Sequence, residues 1–533
     1  MRRSMLVLAA IVTAIVTAAP AAPAVGPGGW DHVGVGSPSA LASLNGHVTA
    51  LNTQAPGALY VGGSFTSAGG NPKAARIARW NGATWSALGN TPLADGGVFA
   101  IAYHAGKVFA GGTFHNAGGN ANADFLAVWD PTTFSWAPFC NSLVPGPAFT
   151  GNVNALQVIG NTLYVGGAFQ NGAGIAAADY LVACDLTTGV ASPTVLNDGD
   201  FSGAVYALTA DSTGKLYAGG GFINLATIAD ADHVAAYDNG TWQAMGTGID
   251  TFVRGLHAVG TNVYVGTDAL NVAGIAQADH VARWDGAAWH AVGANTAGSN
   301  GWFPTTAFIN ALTSVGSLLI AAGSFQNANG VATADDIAYF DGYVWRPLGS
   351  DGAGQGPYFG NTTALASFGG KVFAAGSFTK AGGDSKASFL AAYALRQPDA
   401  WVGGTATGQF VGNNLYSPTG SGESRTVSVA RGKSVSVYVK IQNDGLVTAS
   451  FTIKGSQANH GITTGFYRAG ANITTRMRAG TYPTGNIGPR AVGLIRVVIT
   501  ATRTSAAAAT FVVTARSVAG TTPDAVRIVV HAH

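Results

Sequence analysis

The sequence predicts an all-β chain, a ring of seven four-stranded units followed by a two-sheet sandwich. Three observations carry that prediction. A phrase of the form aromatic-x-Gly-Gly-x-Phe returns along most of the chain, as LYVGGSF at 59–65, FAGGTF at 109 and YVGGAF at 164. Only 10% of the 533 residues are charged while 76 are glycine, which suits short strands and tight turns and not disorder, a state that needs high charge and low hydrophobicity. From about Gln397 the phrase stops and longer alternating runs take over.

The copies open at Tyr60, Phe109, Tyr164, Tyr217, Tyr264, Ile320 and Phe373, the fifth in the degraded form YVGTDA. A period near fifty residues with double glycine belongs to a propeller array. Each unit holds four apolar runs: a first like GNVNAL (151–156), the glycine phrase, a third like HVARWD (280–285) and a fourth like WHAVG. Turn residues separate them, and their alternation of β-branched and aromatic residues is that of strands. One such sheet cannot bury both faces, so the units must stack around an axis. The glycines end the second strand where neighbouring backbone comes close. The seventh unit lacks the fourth-strand pattern, and Trp30-Asp31-His32-Val33-Gly34 at the other end of the chain supplies it. Trp401-Val402-Gly403 is a weaker competitor for that role. A strand from the N-terminal end would leave no open sheet edge. The expected fold is a seven-bladed β-propeller over 25–396.

The units resemble the kelch and galactose-oxidase type of propeller. Trp129-Asp130-Pro131-Thr132-Thr133-Phe134-Ser135-Trp136 is similar to that family's Asp-Pro-x-Thr signature between two aromatic positions. The GG…ARWDG…W-x-x-LG wording also resembles secreted bacterial propellers and fungal cortical polarity-marker proteins. The resemblance covers residues 30–396 and implies the fold more than an activity. The copper chemistry of galactose oxidase does not carry over, because Tyr103-His104 falls on the opposite rim and no matching cysteine is present.

Residues 397–533 read as an immunoglobulin-like β-sandwich of about seven strands, with VSVARGKSVSVYVKIQNDGLVTASFTIKGS (427–456) forming antiparallel strands around an Asn443-Asp444-Gly445 turn. This part resembles the cell-adhesion-related domains that end many secreted bacterial proteins, which implies an adhesive or accessory role. At the other end, Arg2 and Arg3, an apolar run and Ala22-Pro23-Ala24 read as a secretory signal peptide over 1–24. The mature chain is expected to be secreted, to lack a membrane span and to be monomeric. The two cysteines, Cys140 and Cys184, either form a disulfide or remain thiols.

Signals for catalysis are sparse. Glu423 is the only glutamate and lies in the sandwich, whereas most glycosidases need two carboxylates about a scissile bond. Asp124, Asp179, Asp232, Asp279 and Asp335 recur at one repeat position, which points to turns and not to a reaction performed once per molecule. Asp230-Ala231-Asp232 and Asn197-Asp198-Gly199-Asp200 lack the spacing and closing acid of a calcium loop, and no metal or cofactor is expected. Near-neutral charge (+2) argues against nucleic acid.

First strands of a propeller line its channel. There the residue after the Val-type position changes freely, as Thr49, Phe99, Asn154, Tyr206, Arg254, Asn310 and Thr363. The entry loops carry aromatics, of which Phe149, Phe201 and Phe308 are expected to pack between units. Tyr206, Arg254, Trp302, Asn310 and Tyr358 form the expected ligand-binding set, suited to stacking on and hydrogen bonding to sugars or peptides. The expected function is non-catalytic recognition of a glycan or cell-surface protein at one rim. The alternative is a polysaccharide-active enzyme, a lyase more readily than a hydrolase, using Tyr206 as base and Arg254 to neutralise a uronate.

Overall fold

The computed structural model describes residues 29–36, 41–93, 95–140, 147–191, 201–357, 360–413, 417–457, 461–517 and 523–533. Residues 1–24, expected to be a signal peptide, Asn197-Asp198-Gly199-Asp200 and Tyr358 lie outside the described residues. The chain is all-β and propeller-like. Its first part is seven small antiparallel sheets, six of four strands and one with three described strands. Their first strands are Val48–Asn52, Val98–His104, Val153–Ile159, Val205–Ala210, Val253–Val259, Phe308–Val315 and Thr362–Phe368. Each packs against the next, and the last packs against the first.

The seventh sheet contains Trp30–His32 as its outer strand, paired antiparallel to Leu390–Ala394 with Trp30 opposite Tyr393. Trp30 is fully buried, and its indole donates to Leu348 O at 2.9 Å. Trp85, Trp136, Trp289 and Trp345 make the equivalent bond to Val33, Leu88, Met245 and Val292 O. The fourth-strand tryptophan thus ties five of the units to the one before by an indole-to-carbonyl bond, while in unit four the Trp242 indole N–H makes no such bond. Trp401 belongs to another sheet, in Pro398–Gly403.

The paired glycines have two different jobs. A Cβ on Gly62, Gly111, Gly166 or Gly219 would meet the valine that opens the next unit's first strand, at 2.4–2.6 Å. A Cβ on the second glycine would meet backbone of its own sheet: His47 O at 2.0 Å from Gly63, Gly97 O at 1.9 Å from Gly112, Phe308 O at 1.9 Å from Gly323. The first contact is with a side-chain end, and units six and seven carry Ala322 and Ala375 there. The second contact is with a backbone carbonyl of the paired strand, and among the seven units only the fifth carries a side chain there, Thr267, whose hydroxyl donates to that carbonyl, Phe252 O.

The recurring aspartates close a turn. Asp124, Asp179, Asp232, Asp279 and Asp335 each accept from the backbone N–H of the asparagine eight residues earlier, at 2.6–2.8 Å. Those asparagines are left-handed, with φ of 48–52°, a region asparagine tolerates better than most residues. Replacing Asp179 by Ala removes a charge-assisted bond and should cost about 1–2 kcal/mol. A lowered urea midpoint with unchanged ligand retention would check it.

Cys140 and Cys184 form a disulfide, with Cα atoms 5.4 Å apart and a sequence separation of 44. It ties the end of unit two to the third strand of unit three. On a chain-entropy model, closing a loop of that length is worth about 4 kcal/mol.

The second part is two sheets, of six and five strands, packed on a core that includes Val437, Val439, Phe451, Ile453, Phe466, Ile495, Val497 and Ile528. One correction to the sequence reading falls here. Ser434–Asn443 and Phe451–Gly455 do not pair around Asn443-Asp444-Gly445. Ser434–Asn443 pairs with Pro398–Gly403 and Val492–Ala501, whereas Phe451–Gly455 pairs with Ala508–Ser517 in the opposite sheet. Both strands bury one face on the same core, so the chain crosses between layers. Asn443 fixes the crossing by donating to Val447 O and Ile487 O.

Candidate functional site

The first strands surround a cavity of about 220 Å³ lined by Thr49, Phe99, Arg254 and Asn310 among others. The seven variable positions divide into two kinds. Thr49 donates to Val98 O, Asn154 to Val205 O, Asn310 to Thr362 O and Thr363 to Val48 O. Each bond joins one unit to the backbone of the next, so variation among Thr and Asn there is substitution within one structural job. Asn310, which also donates to Asn361 Oδ1 at 2.5 Å, is such a linker, with its amide nitrogen engaged between units. Phe99, Tyr206 and Arg254 stand apart from this set of bonds.

Tyr206 and Arg254 come together through Phe252. The Tyr206 and Phe252 rings meet edge to face at 6.1 Å, and His233 meets the same ring at 5.6 Å. The Arg254 guanidinium lies 5.8 Å from the Phe252 centroid, within cation–π range. Asp268 holds it loosely at 3.8 Å and is oriented by a 2.8 Å bond from Thr251 Oγ1. Tyr206 is 38% exposed and Phe252 40%. Two aromatic rings and a partly neutralised guanidinium thus share a partly exposed patch, with the buried imidazole of His233 behind the Phe252 ring.

Two of its members follow from departures that the sequence carries. In six units the two residues after the double-glycine position are small or hydroxylic and then Phe; unit five has Asp268 and Ala269. The degraded copy YVGTDA thus supplies the carboxylate that meets Arg254. Thr267, in place of the second glycine, donates to Phe252 O at 2.9 Å and steadies the segment that bears the ring. His233 comes from a position without a sequence signature. The residue entering the third strand is left-handed in all seven units, as Arg76, Phe125, Tyr180, His233, His280, Asp336 and Phe389, with φ of 60–66°. Each N–H donates back to the phrase's last residue and each C=O accepts from its second-glycine position. Such backbone costs on the order of 1 kcal/mol per residue and places seven dissimilar side chains at equivalent positions, where His233, His280 and Asp336 are buried and the other four half-buried.

Trp302 is corrected as a ligand candidate. It is 5% exposed, stacked on Trp345 at 6.1 Å and edge-on to Phe303. Phe303 packs on Phe325 and Trp345, as Phe149 packs on Phe169 and Phe201 on Phe222 and Trp242. The long loop 293–308 folds inward to fill the interior, with Trp302 beside the recurring aromatic. Phe308, expected between units, is 40% exposed instead because Phe303 has taken that place. His257, on the first strand of unit five, is pushed down to about 4 by burial. It bonds Ser314 of unit six at 2.9 Å, a neutral cross-link between units.

No family model and no curated protein matches the chain. Solved structures match with little global agreement. A family 123 glycoside hydrolase from Clostridium perfringens shares 8% identity over 26% of this chain and 27% of that one, with a TM-score of 0.18. The chain therefore spans about a quarter of that enzyme's length. The ASH/PapD-like domain of human CEP192 shares 10% over 24% of this chain and 95% of its own, with a TM-score of 0.14. The secreted serine protease VesC from Vibrio cholerae shares 9% over 72% and 68%, with a TM-score of 0.15. None of these carries a functional argument. Among the described residues no helix is long and apolar enough to cross a membrane.

Proposed function

We propose that the chain is a secreted, non-catalytic binding protein. In this reading residues 1–24 are a signal peptide, 25–396 form a seven-bladed propeller of the kelch and galactose-oxidase type, and 397–533 form an immunoglobulin-like module that serves as spacer or adhesive part. The rim patch of Tyr206, Phe252 and Arg254, backed by the buried His233, takes a glycan. The observation that carries the reading is the coincidence in unit five. The one copy that abandons the repeat phrase does so where Asp268 reaches Arg254 and where exposed aromatic rings gather.

The chemistry favours hydroxyl-rich ligands. An exposed ring offers a face for the apolar side of a sugar, and a guanidinium partly neutralised by Asp268 keeps free donors for hydroxyl groups without demanding an anion. The test is retention of the purified chain on a panel of neutral and acidic polysaccharides, with reducing ends and unsaturated-product absorbance read in parallel. Arg254→Ala and Phe252→Ala should each lower retention at least tenfold with a small change in melting temperature, since Phe252 is 40% exposed and the Arg254 side chain 42%. Products from any polymer would overturn the binding reading in favour of a lyase, with Tyr206 as its base.

A further inference from the structure

The propeller-like ring is closed by a strand of only three residues, Trp30–His32, and two of those three are chemically out of place. In the five other units with a fourth-strand tryptophan, the second residue after it is Ala87, Pro138, Ala244, Ala291 or Pro347; in the closing strand it is His32. The first residue after it is Ser86, Ala137, Gln243, His290 or Arg346; here it is Asp31. A third departure lies in the turn of unit seven. Asp384 occupies the position held by Asn71, Asn120, Ile175, Ile228, Ile275 and Val331 in the other units. The repeat acts as its own control: architecture requires none of these three groups, yet all three meet at one point.

There His32 Nδ1 stands 2.5 Å from Asp384 Oδ2 and 3.3 Å from Asp31 Oδ1. One donor atom from each residue lies within 4.8 Å of the other two. Asp31 is 4% exposed, and its Oδ1 accepts no hydrogen bond. A buried carboxylate oxygen left without a donor carries a desolvation penalty that a cation would relieve. Asp384 is held from the far side, Oδ1 accepting from the Lys386 N–H at 2.8 Å, which leaves Oδ2 directed at the cluster.

We propose that Asp31, His32 and Asp384 form a binding site for a divalent transition ion of the zinc class, which clips the closing strand to the turn of the seventh unit. One imidazole nitrogen and two carboxylate oxygens suit zinc, cobalt or manganese, whereas calcium and magnesium favour oxygen alone. Three protein ligands leave a fourth position for water. Because two ligands come from the N-terminal strand and one from residue 384, the ion joins the two ends of the ring. It therefore stabilises the closed form by binding that form alone.

The test uses the untagged, chelator-treated chain. Calorimetry with ZnCl2 should give one ion per chain, and Co2+ should produce visible bands of nitrogen and oxygen ligation. Zinc at saturation should raise the melting temperature by several degrees. Asp384→Asn places at this turn the residue that units one and two already carry, so the variant should fold with an unchanged circular dichroism spectrum. It should lose zinc affinity at least tenfold and lose the melting shift, and His32→Ala should abolish the cobalt bands. Absence of stoichiometric binding in the parent chain would overturn the proposal. So would zinc binding and cobalt bands that survive in both variants.

Discussion

Gly112→Ala should destabilise the chain by about 3 kcal/mol, even though unit five accommodates Thr267 at the equivalent place, while Gly111→Ala, one residue earlier, should cost about 1 kcal/mol. A Cβ at Gly111 would lie 2.4 Å from Val153 Cγ1, a methyl that can turn aside, and alanine is the native residue at that place in two units. A Cβ at Gly112 would lie 1.9 Å from Gly97 O, which accepts the N–H of Thr113 at 2.9 Å. Relieving the clash means separating two strands or losing that bond. Gly112 is not left-handed, so the effect is steric and not conformational. Guanidinium denaturation of both variants checks it, and equal losses would refute the division of labour between the glycines.

Raising the pH should weaken the second part of the chain, and Glu423→Gln should remove much of that weakness. Glu423, Asp399 and Asp524 are fully buried. Burial drives the Glu423 carboxyl far above the usual carboxylate range, with the charges of Asp524 and Asp399 adding to it. Asp524 is also raised by burial, against bonds from the Ala400 and Ser417 N–H groups. The folded form thus holds protons more tightly than the unfolded form. The stability gained is complete below the unfolded carboxylate range near 4 and is lost as pH rises through the raised folded values. Asp336 in unit six, pushed up to about 8 by burial, acts in the same direction. Melting followed from pH 5 to pH 9 should therefore show a fall in the parent chain and a shallower fall in Glu423→Gln. Parallel curves would show that Glu423 does not hold the proton.

The architecture was legible because its signals are local and repeated. Alternation fixes which residues face inward, the glycine phrase marks where strands meet, and Trp30 fits a pattern that other units spell out. The aspartates could be assigned to turns because each bonds an amide only eight residues away. The placement of the candidate residues was legible in part. Tyr206 and Arg254 lie together on an exposed rim patch. Trp302 failed because a long loop can turn inward, and no local pattern distinguishes that from a loop that stays outside. The linking bond of Asn310 was not legible because its partner, Thr362 O, lies on the next unit, 52 residues away. His233 was missed because its orientation comes from a left-handed residue that is not glycine, and nothing in the residue type announces it.

The sequence by itself determined the strands, the seven-fold repetition and the change of pattern near Gln397, because side-chain alternation and turn chemistry act over a few residues. The tertiary structure alone decided which variable positions are linkers and which are free. It also decided that the strands flanking Asn443 belong to opposite sheets, that Cys140 meets Cys184, and that Asp31, His32 and Asp384 converge. Each of these depends on distances between segments tens to hundreds of residues apart, and those distances exist only once the ring has closed and the layers have packed.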